Sequence, residues 1–340
     1  MNKLFIISNE SIYENDNKFF CDNIDLKSTP EGLNKHFKIN LIARKSAKER
    51  THKINLENIN IFKTFFSFIS AVIASTKYKN AKYLIISISP FTFFACMFLR
   101  LFGKSPIVYL RSDGYGEYKA ILGFFGVSIY HLMFSITTSI SNLISCQNYI
   151  LKGKKGYIVS PSQLDHEWFN NRVNTNIEKF KLLYVGRIRV EKGIFSLLKI
   201  IKNKEDITLT IVGAEKNSTQ IINQKNVAVL QNESDKLNLI KYYDNHNIFV
   251  LPSFTEGHPM VLLEALARKR PVVIFDDIEH VIGKKKGIFV AKRNYESFSE
   301  KINYIKNNYQ NIQDEMNLNQ LPTNKNFINE MQSLIEKLSA

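Results

Sequence analysis

Cysteine is scarce in this chain of 340 residues: Cys21, Cys96 and Cys146 are far apart and odd in number. With that number and spacing neither a disulfide framework nor a clustered zinc site is expected, and a reducing cytoplasm suits it best. Acidic residues are in deficit, 31 Asp and Glu against 46 Lys and Arg, which leaves a net charge of +15. The segment Met1–Ser11 has one Lys and an apolar run only from Leu4 to Ile7. That is too short for a signal-peptide core, so secretion is not expected. Charge of either sign is missing from Ala120 to Leu151. Apolar residues, by contrast, make up 44% of the chain, enough to offset the entropy of ordering, so disorder as the general state is excluded. The length exceeds the usual single core, and two domains are expected.

The basic excess is uneven. Residues 1–160 hold 21 Lys and Arg against 10 Asp and Glu, whereas residues 161–340 hold 25 against 21. A basic first half suits an anionic partner, nucleic acid or a phospholipid surface, although a solvated Lys-rich surface gives the same count. Three apolar stretches lie in that half: FFSFISAVI from Phe65, FTFFACMFLRLF from Phe91, and AILGFFGVSIYHLMFSI from Ala120. The last approaches the lower length limit of a membrane span, but His131 and its polar continuation favour a buried or interfacial helix. Apolar helices beside basic charge fit a peripheral membrane protein, and core helices of a sheet-based domain would look similar. RNA binding would interleave aromatics with the lysines. Here the aromatics sit in the apolar stretches, so no nucleic-acid partner is expected.

Short β-rich runs alternate with helical patterns throughout. LFIIS, INLIA, YLIISIS and PIVYL read as strands in the first half, and KLLYVG, TLTIVG, VAVL, IFVLPS and PVVIF in the second. Such alternation predicts an α/β chain with two doubly wound, Rossmann-like domains facing across a cleft. The expected division is 1–165, a polar Asn-rich linker at 166–179, a second domain at 180–320, and a helix at 321–340 packing back on the first domain. Ligands of such sheets lie beyond the carboxyl ends of the strands, so functional residues should follow the strands directly.

After KLLYVG come Arg187, Glu191, Lys192 and Gly193, a loop able to present two cations and helix-start amides to a diphosphate. After IFVLPS come Glu256, Gly257, His258, Pro259, Met260 and Val261, then Glu264. Pro259 suits the first turn of a helix, and Gly257 allows close approach of backbone to a ligand. Amides at the start of that helix can receive an anion, while Glu256 and Glu264 can accept from sugar hydroxyls. Cations for a diphosphate and carboxylates for ribose and hexose together point to a nucleotide sugar.

GRIRVEKG, IVG, LPSFTEGHPMVLLEALA and RPVVIF occur in that order over residues 180–292. In order, spacing and element type this resembles the donor domain of GT-B glycosyltransferases, in particular the retaining family 4. The resemblance implies that Arg187 and Lys192 hold the donor diphosphate and that Glu256 is catalytic at the transferred sugar. It further implies that backbone from Gly257 to Val261 lines sugar and phosphate, that Glu264 binds ribose, and that Val229–Asn232 edges the base. No Asp-x-Asp occurs, so the ligands for a metal-held diphosphate are lacking and no metal or other cofactor is expected. Departures from the family are Ser8, Asn9 and Glu10 in place of a glycine-rich loop, Lys269 in place of a glycine, and Asp276–His280 in place of Gly-Gly-x-x-Glu.

In the first half PIVYL is followed by Arg111, Ser112, Asp113 and Tyr115, expected on the acceptor side. Asp113 is a candidate catalytic or acceptor-orienting residue, with helix capping as its alternative. The implied activity is that of a retaining hexosyltransferase. It would use a nucleoside-diphosphate sugar and a glycan or lipid-linked acceptor in bacterial capsule or lipopolysaccharide synthesis, in the cytoplasm at the inner face of an anionic membrane. A nucleotide-sugar epimerase or hydrolase on the same fold is the alternative; a non-enzymatic basic membrane protein ranks below both.

Overall fold

A computed structural model describes the chain except residues 174–179, 205, 215–221, 223 and 340, and the side chain of Ala120. The chain forms two compact units, one of Met1–Pro161 with Asn324–Ala340 and one of Ser162–Thr323.

In the first unit the strands are β1 (Lys3–Asn15), β2 (Lys18–Cys21), β3 (Lys38–Lys45), β4 (His52–Ile54), β5 (Ile59–Phe62), β6 (Lys82–Ile86), β7 (Ile107–Leu110), β8 (Asn142–Ser145) and β9 (Tyr157–Ile158). A parallel sheet runs β5-β3-β1-β6-β7-β8-β9, and the far half of β1 pairs antiparallel with β2, which in turn pairs with β4. Interleaved are α1 (Ile24–Leu33), α2 (Phe65–Ser75), α3 (Pro90–Leu101) and α4 (Gly114–Ile140). Side chains alternate across each strand, and here both faces are covered. Phe5, Ile7, Tyr83, Ile85, Val108 and Leu110 pack in the core that includes Phe68, Leu99 and Phe134 of α2 to α4. Leu4, Ile6, Leu84, Ile86, Ile107 and Tyr109 pack on the other side with Leu26 and Leu33 of α1. Double burial is why these strands are continuous apolar runs instead of alternating ones.

The charge-free stretch after β7 is not one straight helix. Gly123, at φ 62° and ψ −144°, breaks α4 into two arms in a conformation that only glycine adopts readily. The arms fold back closely: a Cβ on Gly126 would lie 2.1 Å from the Tyr118 carbonyl oxygen, and the Tyr118 and Tyr130 rings are 5.1 Å apart. Along the second arm Tyr130, Met133, Phe134 and Thr137 are buried, one stripe at helical spacing against the sheet.

The second unit contains α5 (His166–Phe169), β10 (Lys181–Val185), α6 (Ile194–Ile200), β11 (Thr208–Ala214), β12 (Val227–Gln231), α7 (Lys236–Asp244), β13 (Ile248–Leu251), α8 (Met260–Ala267), β14 (Val272–Phe275), β15 (Ile288–Ala291), α9 (Tyr295–Asn307) and α10 (Tyr309–Met316). Its described strands form one parallel sheet in the order β12-β11-β10-β13-β14-β15. This is the doubly wound arrangement of dinucleotide-binding folds, reversing between β10 and β13. Lys269, the residue that stands for glycine just after α8, adopts φ 53°. There a side chain is tolerated at a conformational cost.

The first part of the expected linker belongs to this unit. Trp168 is buried in its core, and two buried arginines hold the chain that follows. Arg268 clasps Asp244 with Nε and Nη2 (2.9 and 2.8 Å) and donates to the carbonyls of Trp168, Asn170 and Asn171. Arg270 donates to the carbonyls of Tyr243 and Val173, and Arg172 returns a bond to the Ala267 carbonyl. Residues 166–173 are therefore built into the domain; 174–179 lie outside the described residues. The last helix, α11 (Asn324–Leu338), belongs to the first unit, where Phe327, Ile328, Met331 and Ile335 complete the core beside α1. Removing one partner of a buried pair strands the other charge. Asp244→Ala should accordingly lower unfolding free energy by about 3–5 kcal/mol, visible as a lower urea midpoint.

Candidate active site

The reversal of strand order between β10 and β13 sends their following loops to opposite sides and opens a crevice at the carboxyl ends. Both sequence-singled loops leave from there. After β10 the chain turns through Val190–Lys192 to Gly193, at φ 66°. A Cβ at Gly193 would lie 1.8 Å from the Pro252 carbonyl oxygen, so the two loops touch backbone to backbone only because this residue is glycine. The Phe254 amide donates to the Glu191 carbonyl (3.0 Å) across the same contact. With the loops so joined, Lys192 Nζ donates to Glu256 Oε1 at 2.7 Å. The Ser253 hydroxyl donates to that same oxygen at 2.6 Å. The Glu256 side chain is 11% exposed. Arg187 stands exposed on the first loop, its carbonyl held by the Tyr184 hydroxyl (2.9 Å), and makes no ion pair among the described residues.

Gly257 and His258 lead into α8. Pro259 occupies the position before the helix instead of its first turn, and supplies no side-chain cap. Met260 and Val261 thus begin the helix with amides that no capping side chain engages, at its positive end. Glu264 is buried further along α8, where the Tyr243 hydroxyl donates to its Oε2 at 2.8 Å. Burial raises its carboxyl from an ordinary 4.5 to about 7, the Tyr243 bond acting in the opposite direction.

Residues 165–320 match the sequence profile of the family described as Glycosyl transferases group 1. The match runs along nearly the whole of the second unit, Ser162–Thr323. Over an alignment of 164 residues that covers 43% of this chain, the chain is 31% identical to the capsular polysaccharide biosynthesis glycosyltransferase CapM of Staphylococcus aureus. Over 143 residues, 39% of this chain, it is 30% identical to the N,N'-diacetylbacillosaminyl-diphospho-undecaprenol alpha-1,3-N-acetylgalactosaminyltransferase of Campylobacter jejuni. These matches span 42% and 37% of the two relatives' lengths. The whole chain has the fold of sucrose-phosphate synthase from Thermosynechococcus elongatus, with a TM-score of 0.69 at 15% identity over 99% of both chains. That fold is GT-B, α/β with two Rossmann-like domains.

Within the matched region the structure adds contacts made across the fold. His280 Nε2 lies 2.7 Å from the Glu256 carbonyl oxygen, so the departed segment Asp276–His280 still reaches the site. Arg293 pairs with Asp277 (2.6 Å), donates to the Ser253 carbonyl (2.9 Å) and lies between the rings of Phe254 and Phe275, 3.9 and 4.6 Å from their centroids. It fixes the loop that carries Ser253 and Glu256. Its distance in sequence from both loops leaves no local signal. Val229–Gln231 ends β12 (Val227–Gln231), and the amide of Asn232 just after it donates to the Ala214 carbonyl.

The residues expected on the acceptor side form a separate cluster in the first unit. Where a glycine-rich loop was absent, β1 continues through a register shift, and Glu10 meets Arg111 Nη2 at 3.5 Å while Asn23 donates to the same Glu10 oxygen at 2.7 Å. Arg111 Nη1 lies 3.8 Å from Asp25. Asp113 caps α4 by accepting from the Tyr115 amide (3.2 Å) and pairs with Lys152 (3.2 Å). The capping alternative thus describes its contacts. Ser112 lines a small hollow with Ser87, Glu117 and Tyr130. The Tyr115 hydroxyl is 2.8 Å from His131 Nδ1.

Glu264 gives the domain a signed pH dependence. The unfolded chain releases this proton near 4.5 and the folded chain near 7, so ionisation in the folded state is the costly event. Stability attributable to Glu264 is full below pH 4.5 and falls as pH rises to about 7, by about 3 kcal/mol at most. Thermal unfolding of Glu264→Gln should lack this decline, and parallel Tm curves for variant and wild type between pH 4.5 and 7.5 would refute it.

Proposed function

We propose that the protein is a retaining, metal-independent hexosyltransferase. It would move a sugar from a nucleoside-diphosphate sugar to a glycan or lipid-linked acceptor during synthesis of a bacterial cell-surface polysaccharide. The observation that carries this is the meeting of Lys192 and Glu256 at 2.7 Å, at the strand-order reversal and beside the uncapped start of α8. A diphosphate entering there takes Lys192 from Glu256, with Arg187 and the amides of Met260 and Val261 as further donors. These groups meet negative charge as it develops on the departing diphosphate, in place of a divalent cation. Glu256, released from Lys192 but still held by Ser253, is then placed to accept from the transferred sugar and support its departure. Gly257, His258 and Pro259 line sugar and phosphate with backbone. Glu264 accepts from ribose as a carboxylate, and Val229–Asn232 borders the base.

On the acceptor side Arg111 serves as a phosphate contact and Ser112 and Tyr115 as polar contacts. Asp113, through Lys152 and the start of α4, orients them. The acceptors or products named for the relatives, a capsular polysaccharide and a diphospho-undecaprenol glycan, support an acceptor of this class. The basic first half supports a cytoplasmic enzyme in peripheral contact with an anionic membrane, and no nucleic acid takes part.

The experiment is a thermal-shift screen of nucleotide sugars, followed by transfer assays with the stabilising donor. Lys192→Ala and Glu256→Ala should each lower transfer by about 100-fold or more while remaining folded. Near-normal transfer in either would overturn the assignment. Turnover of the donor without any acceptor would mark an epimerase or hydrolase instead.

A further inference from the structure

The two arms of α4 end in an apex that the transfer site does not use. Ile121, Leu122, Phe124 and Phe125 surround Gly123 there and are 73%, 51%, 81% and 79% exposed. Ile129 and Leu132 extend this apolar face along the second arm, and Phe66 at the start of α2 is 83% exposed. Six exposed bulky apolar groups on this one hairpin, beside Phe66, exceed what a soluble surface ordinarily leaves uncovered. By length and composition Ile121–Ile140 could cross a membrane. Its buried stripe of Tyr130, Met133 and Phe134 is already committed to the sheet, so what remains outward is a face and a tip.

We infer that this helical hairpin is a membrane-insertion device, its apex entering the acyl boundary of an anionic bilayer. The inference rests on the proposed membrane association of the transferase and names the surface that provides it. Charge identifies the partner. Residues 51–160 hold 12 Lys and Arg against three Asp and Glu, with Lys63 beside α2, Arg100 in the last turn of α3 and Lys119 on the first arm all exposed. An apolar protein partner would gain nothing from that excess, whereas anionic headgroups do.

Dimensions agree. The first arm runs nine residues from Gly114 to Leu122, about 13 Å at 1.5 Å per residue. An apex buried about 5–10 Å leaves the base of the hairpin at headgroup level. At that base are the polar groups: the Asp113–Lys152 pair and the Tyr115–His131 contact. Polar head and apolar tail of a lipid-linked acceptor therefore meet matching chemistry along one hairpin.

Flotation tests the inference with vesicles of phosphatidylcholine containing 30% phosphatidylglycerol and with phosphatidylcholine alone. Wild type should float with the anionic vesicles, and Phe124→Ser/Phe125→Ser should bind them at least about tenfold more weakly. The double variant should keep wild-type thermal stabilisation by the donor nucleotide sugar. Phe125→Trp should report the insertion directly by a blue shift and by quenching with brominated lipid. Undiminished flotation of the double serine variant would overturn the inference. So would a wild-type dimer in solution that these serines dissociate, because a second copy would then be the occupant. Lys192→Ala should float normally, so failure of the transferase assignment and failure of the docking surface are told apart.

Discussion

The contact between Gly193 and the Pro252 carbonyl is the constraint on which the second unit's crevice depends. Two loops that leave adjacent strands in opposite directions would ordinarily separate, and a side chain at residue 193 would force them to. Because there is none, Glu191 can pair with the Phe254 amide and Lys192 can reach Glu256. The Lys192–Glu256 pair is placed by that backbone approach. Arg293, inserted between Phe254 and Phe275, then braces the second loop from beneath. The ion pair is consequently a property of the sheet's topology as much as of its two side chains.

The parts of this molecule legible in its sequence are those in which strand, loop and helix follow one another without interruption. LLYVGRIRVEKG and LPSFTEGHPMVLLEALA each encode such a unit, so Lys192, Glu256 and the start of α8 are legible from local sequence alone. Contacts made across the fold left no such trace. Arg293 approaches the site from a distant segment with nothing beside it in sequence to mark its role, and His280 lies in a segment that had lost the family's pattern. The segment from residue 166 looked like a linker because it lacks periodicity; its order comes from Arg268 and Arg270, about 100 positions later. Asp113 was legible both as a cap and as a reactive group, and its contacts are those of a cap. The charge-free stretch was legible as apolar, but the sharp return at Gly123 depends on glycines at 123 and 126 that hydropathy does not weigh.

Electrostatic roles differ between the two units. In the second, the net balance matters little, and a few placed groups, Arg187, Lys192 and the first amides of α8, present positive potential to one small crevice. In the first, no single cation dominates, and a diffuse excess acts over a surface at a range set by the ionic strength. Placed charge of the former kind discriminates between ligands by geometry, whereas diffuse charge of the latter kind attracts anionic surfaces with little discrimination.

The return of α11 to the first unit has a consequence for biosynthesis. Phe327, Ile328, Met331 and Ile335 close one of the two cores of that unit, yet they are translated after the whole of the second. The continuous stretch Ser162–Thr323 can collapse as soon as it is made. The first unit, although begun earlier, keeps the apolar side formed by Leu26, Leu33, Ile107 and Tyr109 open until the final helix emerges. The order of the two units along the chain is thus the reverse of the order in which their cores can be sealed.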